Sequence, residues 1–421
     1  MNKEKIKKLV KGDKHYFFGY YNKSQISFDG KFALVLEVDF IDRVPTEKDI
    51  ANILLINLEK GTKEKIANTR AWNFQQGCML QWMPDNSSTE IIFNDLKGNK
   101  LVSRILNVVT LEERILPYPI YDVHPSGKYG LTFSFSKLGK VRTGYGYKIE
   151  DENKEEGIYL INLKTGRKKQ ITILRDLKKH KPIESMNKGE HWIDQPVFSP
   201  DGKRLCFLHR WEIEGGLFHT RFFVSYINGK GLSMFPDSGF YSHFTWKNNK
   251  EILVWCSVSE RFGNIRKGKG KSNFIIEKIL PIYRKIIPTY IRKRVLPVSY
   301  YLINVQTNEI KKINIHHEDG HPSFSKDERY LITDTYPNKK NYRKLILYDY
   351  DKKKRTILGE FYSLPDRKYL EFSKDEKEYL CWGDSEFRVD LHPRLNFQGD
   401  KVTFDSIHEG FRNCYMLLLN N

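Results

Sequence analysis

What this chain of 421 residues lacks narrows it first. Its five cysteines, Cys78, Cys206, Cys256, Cys381 and Cys414, are scattered, odd in number and without CxxC spacing. That excludes a disulfide framework and a paired-cysteine zinc site, and leaves reduced thiols packed as small apolar residues on strands. No run of about 18 apolar residues exists, so no segment reads as a bilayer-spanning helix. Met1 to Val10 is basic but holds no apolar stretch of the kind a secretory signal needs, so the expected location is the cytoplasm. HExxH, GxSxG, the P-loop pattern and the kinase set are all missing, which removes zincin, triad-hydrolase and phosphate-cradle chemistry. Long Ala/Leu/Glu runs are scarce, whereas 24 Tyr and 26 Phe favour strands over helices.

Acidic residues are also short. Against 71 Lys+Arg stand 52 Asp+Glu, a formal net charge of +19. A basic surface suits an acidic glycan, an anionic lipid surface or nucleic acid. About half of the excess sits between Arg261 and Arg294, with eleven Lys/Arg and one acid, Glu277. There Ile275, Ile276, Ile279, Ile282, Tyr283, Ile286, Ile287 and Tyr290 recur near helical spacing, interrupted by Pro281 and Pro288. The segment 261–294 reads as a short basic amphipathic helical insertion. It packs on the rim of the fold, makes a peripheral contact with the inner membrane, or binds a partner or polyanion. Nucleic acid is disfavoured, because the charge is local and no recognised binding motif accompanies it.

What is present is a repeat. Phe198-Ser199-Pro200-Asp201-Gly202 is its clearest copy. Weaker copies start at Ile26, Trp82, Val123, Trp246, Phe324 and Leu395; an eighth candidate, Phe372-Ser373-Lys374-Asp375, lies too close to the last to own a unit. Short apolar or alternating strands follow, such as Phe32–Leu36 and Leu205–Leu208, then second hairpins such as Ile53–Gly61 and Gly157–Gly166. Seven units of roughly 55–60 residues predict an all-β, seven-bladed β-propeller as a single domain over 1–421. The last strand, Asn413–Leu418, is expected to close the ring with residues near Tyr16–Tyr21.

The residue three before each repeat's apolar anchor is His243, His321 and His392 in three units, and Gln195 in a fourth, with His191 just upstream. Only 12 histidines exist in the chain, and blade first strands begin near a propeller's central channel. Several imidazoles converging there could bind a divalent metal or act as acids and bases; each could equally cap its blade through a backbone carbonyl. His209 and His408 could join the set. A second dense stretch, Thr69–Trp82, gathers Trp72, Asn73, Gln75 and Gln76, with Asn94 ending the next strand. Amides beside aromatic faces hold sugar hydroxyls, or satisfy loop backbone. The third is Val141-Arg142-Thr143-Gly144-Tyr145-Gly146-Tyr147, where Arg142 could clamp a carboxylate and a tyrosine could supply a proton.

These residues resemble a known family. The stretches His15–Tyr21, Trp72–Cys78, Arg142–Tyr147, Phe198–Trp211, Gly320–Phe324 with Thr333–Pro337, and Asp390–Arg394 with Asp405–Gly410 are similar, in order, to the propeller proteins grouped with ulvan lyases and, more distantly, oligogalacturonate lyases and TolB-type propellers. The resemblance implies β-elimination on an acidic, uronate-containing glycan. Arg142, Tyr145, Tyr147 and His209 are then the catalytic candidates. Trp72, Asn73, Gln75, Gln76, Asn94, Arg394 and His408 are the substrate-binding ones. A divalent metal, Zn or Mn, would fall to His191, His209, His243 and His321. In ulvan lyases the working histidines belong to the second blade, where this chain carries amides instead. The alternative is a non-catalytic accessory in cell-surface polysaccharide biosynthesis at the inner membrane.

Overall fold

The computed structural model describes residues 6–84, 88–142, 144–149, 156–187, 189–213, 217–259, 298–363 and 389–419. Each predicted turn sits between the first two strands of a four-stranded antiparallel blade, and there are seven blades: a β-propeller, as the repeat predicts. Where the motif is Ser-x-Asp, the turn works the same way. Ser27 Oγ donates to Asp29 Oδ1 at 2.6 Å, Asp29 accepts from the Lys31 amide, and Gly30 takes φ +76°. Ser199, Asp201 and Gly202 repeat this arrangement, with φ +69° at the glycine. In the sixth blade Ser325 and Asp327 keep the bond, but Glu328 occupies the left-handed region at φ +63°. That is uncommon for a residue with a Cβ.

The first blade runs from His15–Phe17 to Lys63–Thr69 and the second from Gln81–Trp82 to Glu113–Leu116. The third runs from Asp122–Val123 to Lys168–Ile173, the fourth from His191–Phe198 to Ser233–Met234, and the fifth from Tyr241–Trp246 to Ile310–Ile313. The sixth runs from Ser323–Phe324 to Lys354–Tyr362. The seventh joins Arg394–Leu395, Lys401–Ser406 and Asn413–Leu418 to Ile6–Lys8. The ring is therefore closed by Ile6, Lys7 and Lys8 pairing with Leu417, Met416 and Tyr415, ahead of the Tyr16–Tyr21 stretch expected for it. His15–Phe17 pairs instead with Leu36–Val38 and opens the first blade. Closure of this kind completes the seventh blade with a strand from the other end of the chain.

Middle strands are buried on both faces: Phe32–Val38, Glu90–Lys97 and Arg204–Ile213 are buried along nearly their whole length. Their side chains fill the space between neighbouring blades. Leu34, Ile53, Trp82 and Ile91 form one such cluster; Ile332, Leu345, Leu395 and Phe404 form another. Each fully buried aliphatic or aromatic side chain contributes about 1.5–3 kcal/mol. Outer strands are the opposite. Lys63, Lys65, Lys168, Lys169, Lys311, Lys312, Lys354 and Arg355 are exposed on them, a charge pattern that discourages edge-to-edge pairing.

The chain divides into two compact units. One comprises residues 1–152, 161–167 and 321–421; the other comprises 153–160 and 168–320. Helices are short: Phe135–Val141, capped by Ser134 Oγ accepting from the Lys137 amide, and Leu174–Lys179. No helix among the described residues is long and apolar enough to cross a membrane. The expected insertion 261–294 and the eighth turn candidate at Phe372–Asp375 lie outside the described residues.

Candidate metal centre

Within the first unit, three donors converge. His321 stands just before the first strand of the sixth blade. Asp390 and His392 stand just before that of the seventh, two residues apart. Among the described residues, His321, Asp390 and His392 form the one group of three or more His, Cys, Asp or Glu donors whose ligating atoms lie within 4.8 Å of one another. The imidazoles meet edge to face with centroids 4.3 Å apart. His392 Nε2 lies 4.0 Å from Asp390 Oδ2.

Each donor is oriented from behind. Both Asp334 oxygens face His321 Nδ1, at 2.8 and 3.0 Å, and the same carboxylate accepts from the His321 amide. His392 Nδ1 donates to the Gly19 carbonyl at 2.9 Å. Arg343 Nη2 forms an ion pair with Asp390 Oδ1 at 2.6 Å. With Nδ1 bonded on both rings, Nε2 is the nitrogen left on each for a metal, and His392 Nε2 faces Asp390. That is the arrangement a metal requires. His392 Nε2 is buried with no hydrogen-bond partner, a bare acceptor that a cation would satisfy. The donor set therefore fits a divalent cation. His392 also holds a strained backbone, φ +42°, which persists where the surroundings dictate it.

Charge follows from burial. Loss of hydration, then the neighbouring His321 ring, pushes His392 well below the usual histidine pKa and keeps it neutral. Burial alone would raise the Asp334 pKa; His321 and Arg343 outweigh it and hold that carboxyl ionised.

Aromatic residues enclose the donors. Tyr21 lies 5.2 Å from His321 and Tyr20 lies 5.3 Å from His392, the latter edge to face. Tyr20 in turn meets Tyr145 at 6.3 Å. Gly19 sits at φ +130°, and a Cβ there would come within 2.7 Å of the Gln76 carbonyl, so this segment can pass the second blade only as glycine. Arg394 holds the segment from the other side through the carbonyls of Gly19 and Tyr20.

The other expected residues scatter around this picture. Tyr145 has a buried hydroxyl without a partner, and the Arg142 guanidinium lies 3.6 Å over its ring. Tyr147 is a support: its hydroxyl accepts from Asn94 Nδ2 and its ring stacks on Phe135. Asn94 also takes the Ile120 amide. Asn73 donates to Gly146 O and accepts from the amides of Gln75 and Gln76. Gln76 Oε1 accepts from the Gly146 amide, while its Nε2 is buried without a partner. Trp72 is enclosed by Phe17, Phe40 and Phe74 and donates to Asp49 O, so it offers no exposed platform. Beside it, a cavity of about 20 Å³ lined by Asn73, Tyr145 and Lys148 has room for one water, not a sugar ring. His408 packs on Phe361 and Tyr415 and bonds Ser406.

Among the described residues, the donor group includes His321 and not His191, His209 or His243. In the second unit, His191 and His209 bond each other, Nδ1 to Nε2, at 2.9 Å, and stack about Trp211. Burial pushes His209 well below the usual pKa, helped by His191 and Arg221. His243 turns Nδ1 to Asp319 at 3.1 Å, and Ser242 donates to the other oxygen of that carboxylate. Asp390 and His392 were absent from the expected ligand set. The Asp-x-His spacing beside His321 was the signal that could have found them.

A seven-bladed β-propeller with a buried two-histidine, one-carboxylate cluster is thus the class that the fold and site define. No protein-family model matches the chain, and no curated protein matches it in sequence. Its likeness is to solved structures. Oligogalacturonate lyase from Vibrio parahaemolyticus superposes with a TM-score of 0.62 at 14% identity, covering 99% of this chain and 94% of that one. An oligogalacturonate lyase in complex with manganese gives 0.64 at 14% identity, covering 99% and 93%. The β-propeller domain of the Trilobed protease from Pyrococcus furiosus gives 0.52 at 8% identity, covering 96% of each. At these identities the likeness is one of fold.

Proposed function

We propose that this propeller acts on, or binds, an acidic uronate-containing oligosaccharide at a divalent-cation centre built from His321, Asp390 and His392. The observation that carries the reading is the donor set itself: three buried groups, each with an outer partner that aims it inward. The fold shared with a manganese-bound oligogalacturonate lyase supports it.

A bound cation would neutralise a substrate carboxylate and so acidify the C–H beside it. In β-elimination a general base takes the C5 proton, the C4–O bond breaks, a C4=C5 double bond forms, and the departing oxygen takes up a proton, so the site accepts one proton and gives up one. Tyr145 is the donor we assign to the departing oxygen, since its hydroxyl has no other bond to lose. Arg142 places a cation at the same ring, suited to a sugar carboxylate. Tyr20 and Tyr21 keep water from the donors.

A second reading is favoured by one observation. All three donors are within about 1% of fully buried. A centre so enclosed also suits a non-catalytic accessory of surface-polysaccharide assembly, with the cation as a structural tie. The deciding experiment incubates the full chain with a panel of uronate polymers and follows the absorbance of the unsaturated product, with and without a chelator. Chelator-sensitive product establishes the lyase. No product across the panel, with cation binding intact, establishes the accessory.

A further inference from the structure

The chain between the outer strand of the third blade and the first strand of the fourth is strongly basic. From Lys168 to Lys181 it holds six Lys/Arg against one acid, Asp176; Glu184 is the next acid. All six cations are exposed: Lys168 and Lys169 on the strand Lys168–Ile173, Arg175, Lys178 and Lys179 on the helix Leu174–Lys179, and Lys181 just beyond it. Leu177 is the residue the helix buries, which leaves its three cations on the solvent side. Arg175 lies 3.9 Å from Asp176, whereas Lys169, Lys178, Lys179 and Lys181 form no ion pair among the described residues.

A groove of about 520 Å³ opens beside Lys181, with Pro182 and Ile183 on one wall and Met234 and Phe235 on the other. Arg221 fixes both walls from beneath. It is buried, donates to the carbonyls of His180 and Lys181 at 2.9 and 2.8 Å, and pairs with Asp237 Oδ2 at 2.8 Å. His219 Nε2 bonds Asp237 Oδ1 at 2.8 Å. Both oxygens of the groove's carboxylate are therefore engaged internally, and the groove is formed before any ligand arrives.

Each exposed charge pair is weak, so a ligand gains affinity here only by meeting several cations at once. That selects a polyanion. An anionic bilayer takes large apolar side chains projecting from a basic face. None of the exposed large hydrophobic side chains among the described residues lies in 168–187 or 233–237. A single nucleic-acid strand takes exposed aromatic platforms for its bases, and Phe235 is buried. A uronate chain needs neither: its carboxylates meet the lysines, and the apolar face of a ring lies against Pro182 and Ile183. We infer that the surface formed by 168–187 and 233–237 docks a polymeric acidic glycan. This rests on the proposed uronate ligand and not on the cation centre.

The test measures binding of fluorescein-labelled polygalacturonate to the full chain by anisotropy, at low and at raised salt. The wild-type chain is expected to bind, more weakly as salt rises. Lys178→Glu combined with Lys179→Glu should weaken binding about tenfold or more, because each swap removes an attraction and adds a repulsion. Lys311→Glu combined with Lys312→Glu makes the same charge change on the exposed outer strand of the fifth blade, and should stay within about threefold of wild type. Ile183→Ser leaves the charge unchanged and should weaken binding about threefold by removing an apolar wall. Equal losses in the two double swaps, or no binding by the wild-type chain, overturn the inference. So does a Lys178/Lys179 swap that releases phosphatidylserine-containing vesicles and leaves the polymer bound, which makes the surface a lipid contact. Binding or cleavage of a galacturonate trimer reports on the proposed function separately. A trimer handled normally, with polymer binding indifferent to Lys178 and Lys179, rejects the inference alone. No uronate of any length bound or cleaved rejects both.

Discussion

Set the two buried histidine pairs side by side. His191 and His209 lie on neighbouring strands of the fourth blade, and His321 and His392 stand before the sixth and seventh. In the first pair one imidazole donates to the other, His191 Nε2 is used by the Met186 carbonyl, and Trp211 covers the faces. The nitrogens are mostly consumed within the protein. In the second pair each Nδ1 is held from outside, by Asp334 and by Gly19 O, and His392 Nε2 lies 4.0 Å from Asp390 Oδ2. Residue type and burial are the same. What differs is which nitrogen the surroundings consume, and that separates a packing element from a candidate ligand.

The largest expected effect tests that contrast directly. Replacing His321 or His392 by alanine should abolish Mn2+ binding measured by calorimetry, a loss of more than about 100-fold given that even outer-shell losses reach that scale. Replacing His209 by alanine should leave Mn2+ affinity unchanged. If His209→Ala weakened binding as much as His392→Ala, the division between the two pairs would fail.

A smaller effect concerns pH. His209 is pushed well below its ordinary value in the folded chain, so the unfolded chain binds more protons once pH falls beneath about 6.5. Stability contributed by the neutral imidazole is present above that pH and drains away below it. Between pH 7.5 and 5.5 the loss from this one group is about 1.4 kcal/mol. Urea titrations at the two values should show the wild-type chain losing that much more than His209→Gln, which carries no titrating ring. Equal losses would mean that His209 is not held neutral. His15 adds to the same trend, since burial and then Arg412 lower it to about 4.

The contrast also explains what the sequence could reveal. The turns were legible because their chemistry is local: where the motif is Ser-x-Asp, the aspartate carboxylate accepts from the backbone amide two residues on. The positions of His321 and His392 were legible for the same reason, as fixed offsets from those turns. Their use was not. The partners that set each tautomer lie 13 residues away for His321 and 373 residues away for His392, and no periodicity encodes such distances. His191 and His209 looked equally suitable until Trp211 and Met186 took their faces and nitrogens. Closure was misread in the same way. Tyr16 does meet the last blade, through its amide on Arg412 O, but the ladder is made by Ile6–Lys8, whose three residues carry little pattern.

The smallest effect separates two tyrosines two positions apart. Tyr147 spends its hydroxyl on Asn94, whose own carbonyl oxygen takes the Ile120 amide. Removing that hydroxyl leaves a buried amide hydrogen unsatisfied, so Tyr147→Phe should cost about 1 kcal/mol in urea unfolding. Tyr145 is as deeply buried, but its hydroxyl bonds nothing. Burying a bare hydroxyl is itself unfavourable, so Tyr145→Phe should be neutral or slightly stabilising, within about 0.5 kcal/mol. If uronate elimination is found, the order inverts. Tyr145→Phe should then lower kcat by about 10²-fold or more, the usual scale for a lost proton donor, with KM little changed. Tyr147→Phe should leave kcat within a few-fold. A Tyr145→Phe chain that unfolds more easily but turns over normally would make that hydroxyl a packing group, and would return the proton transfer to a histidine.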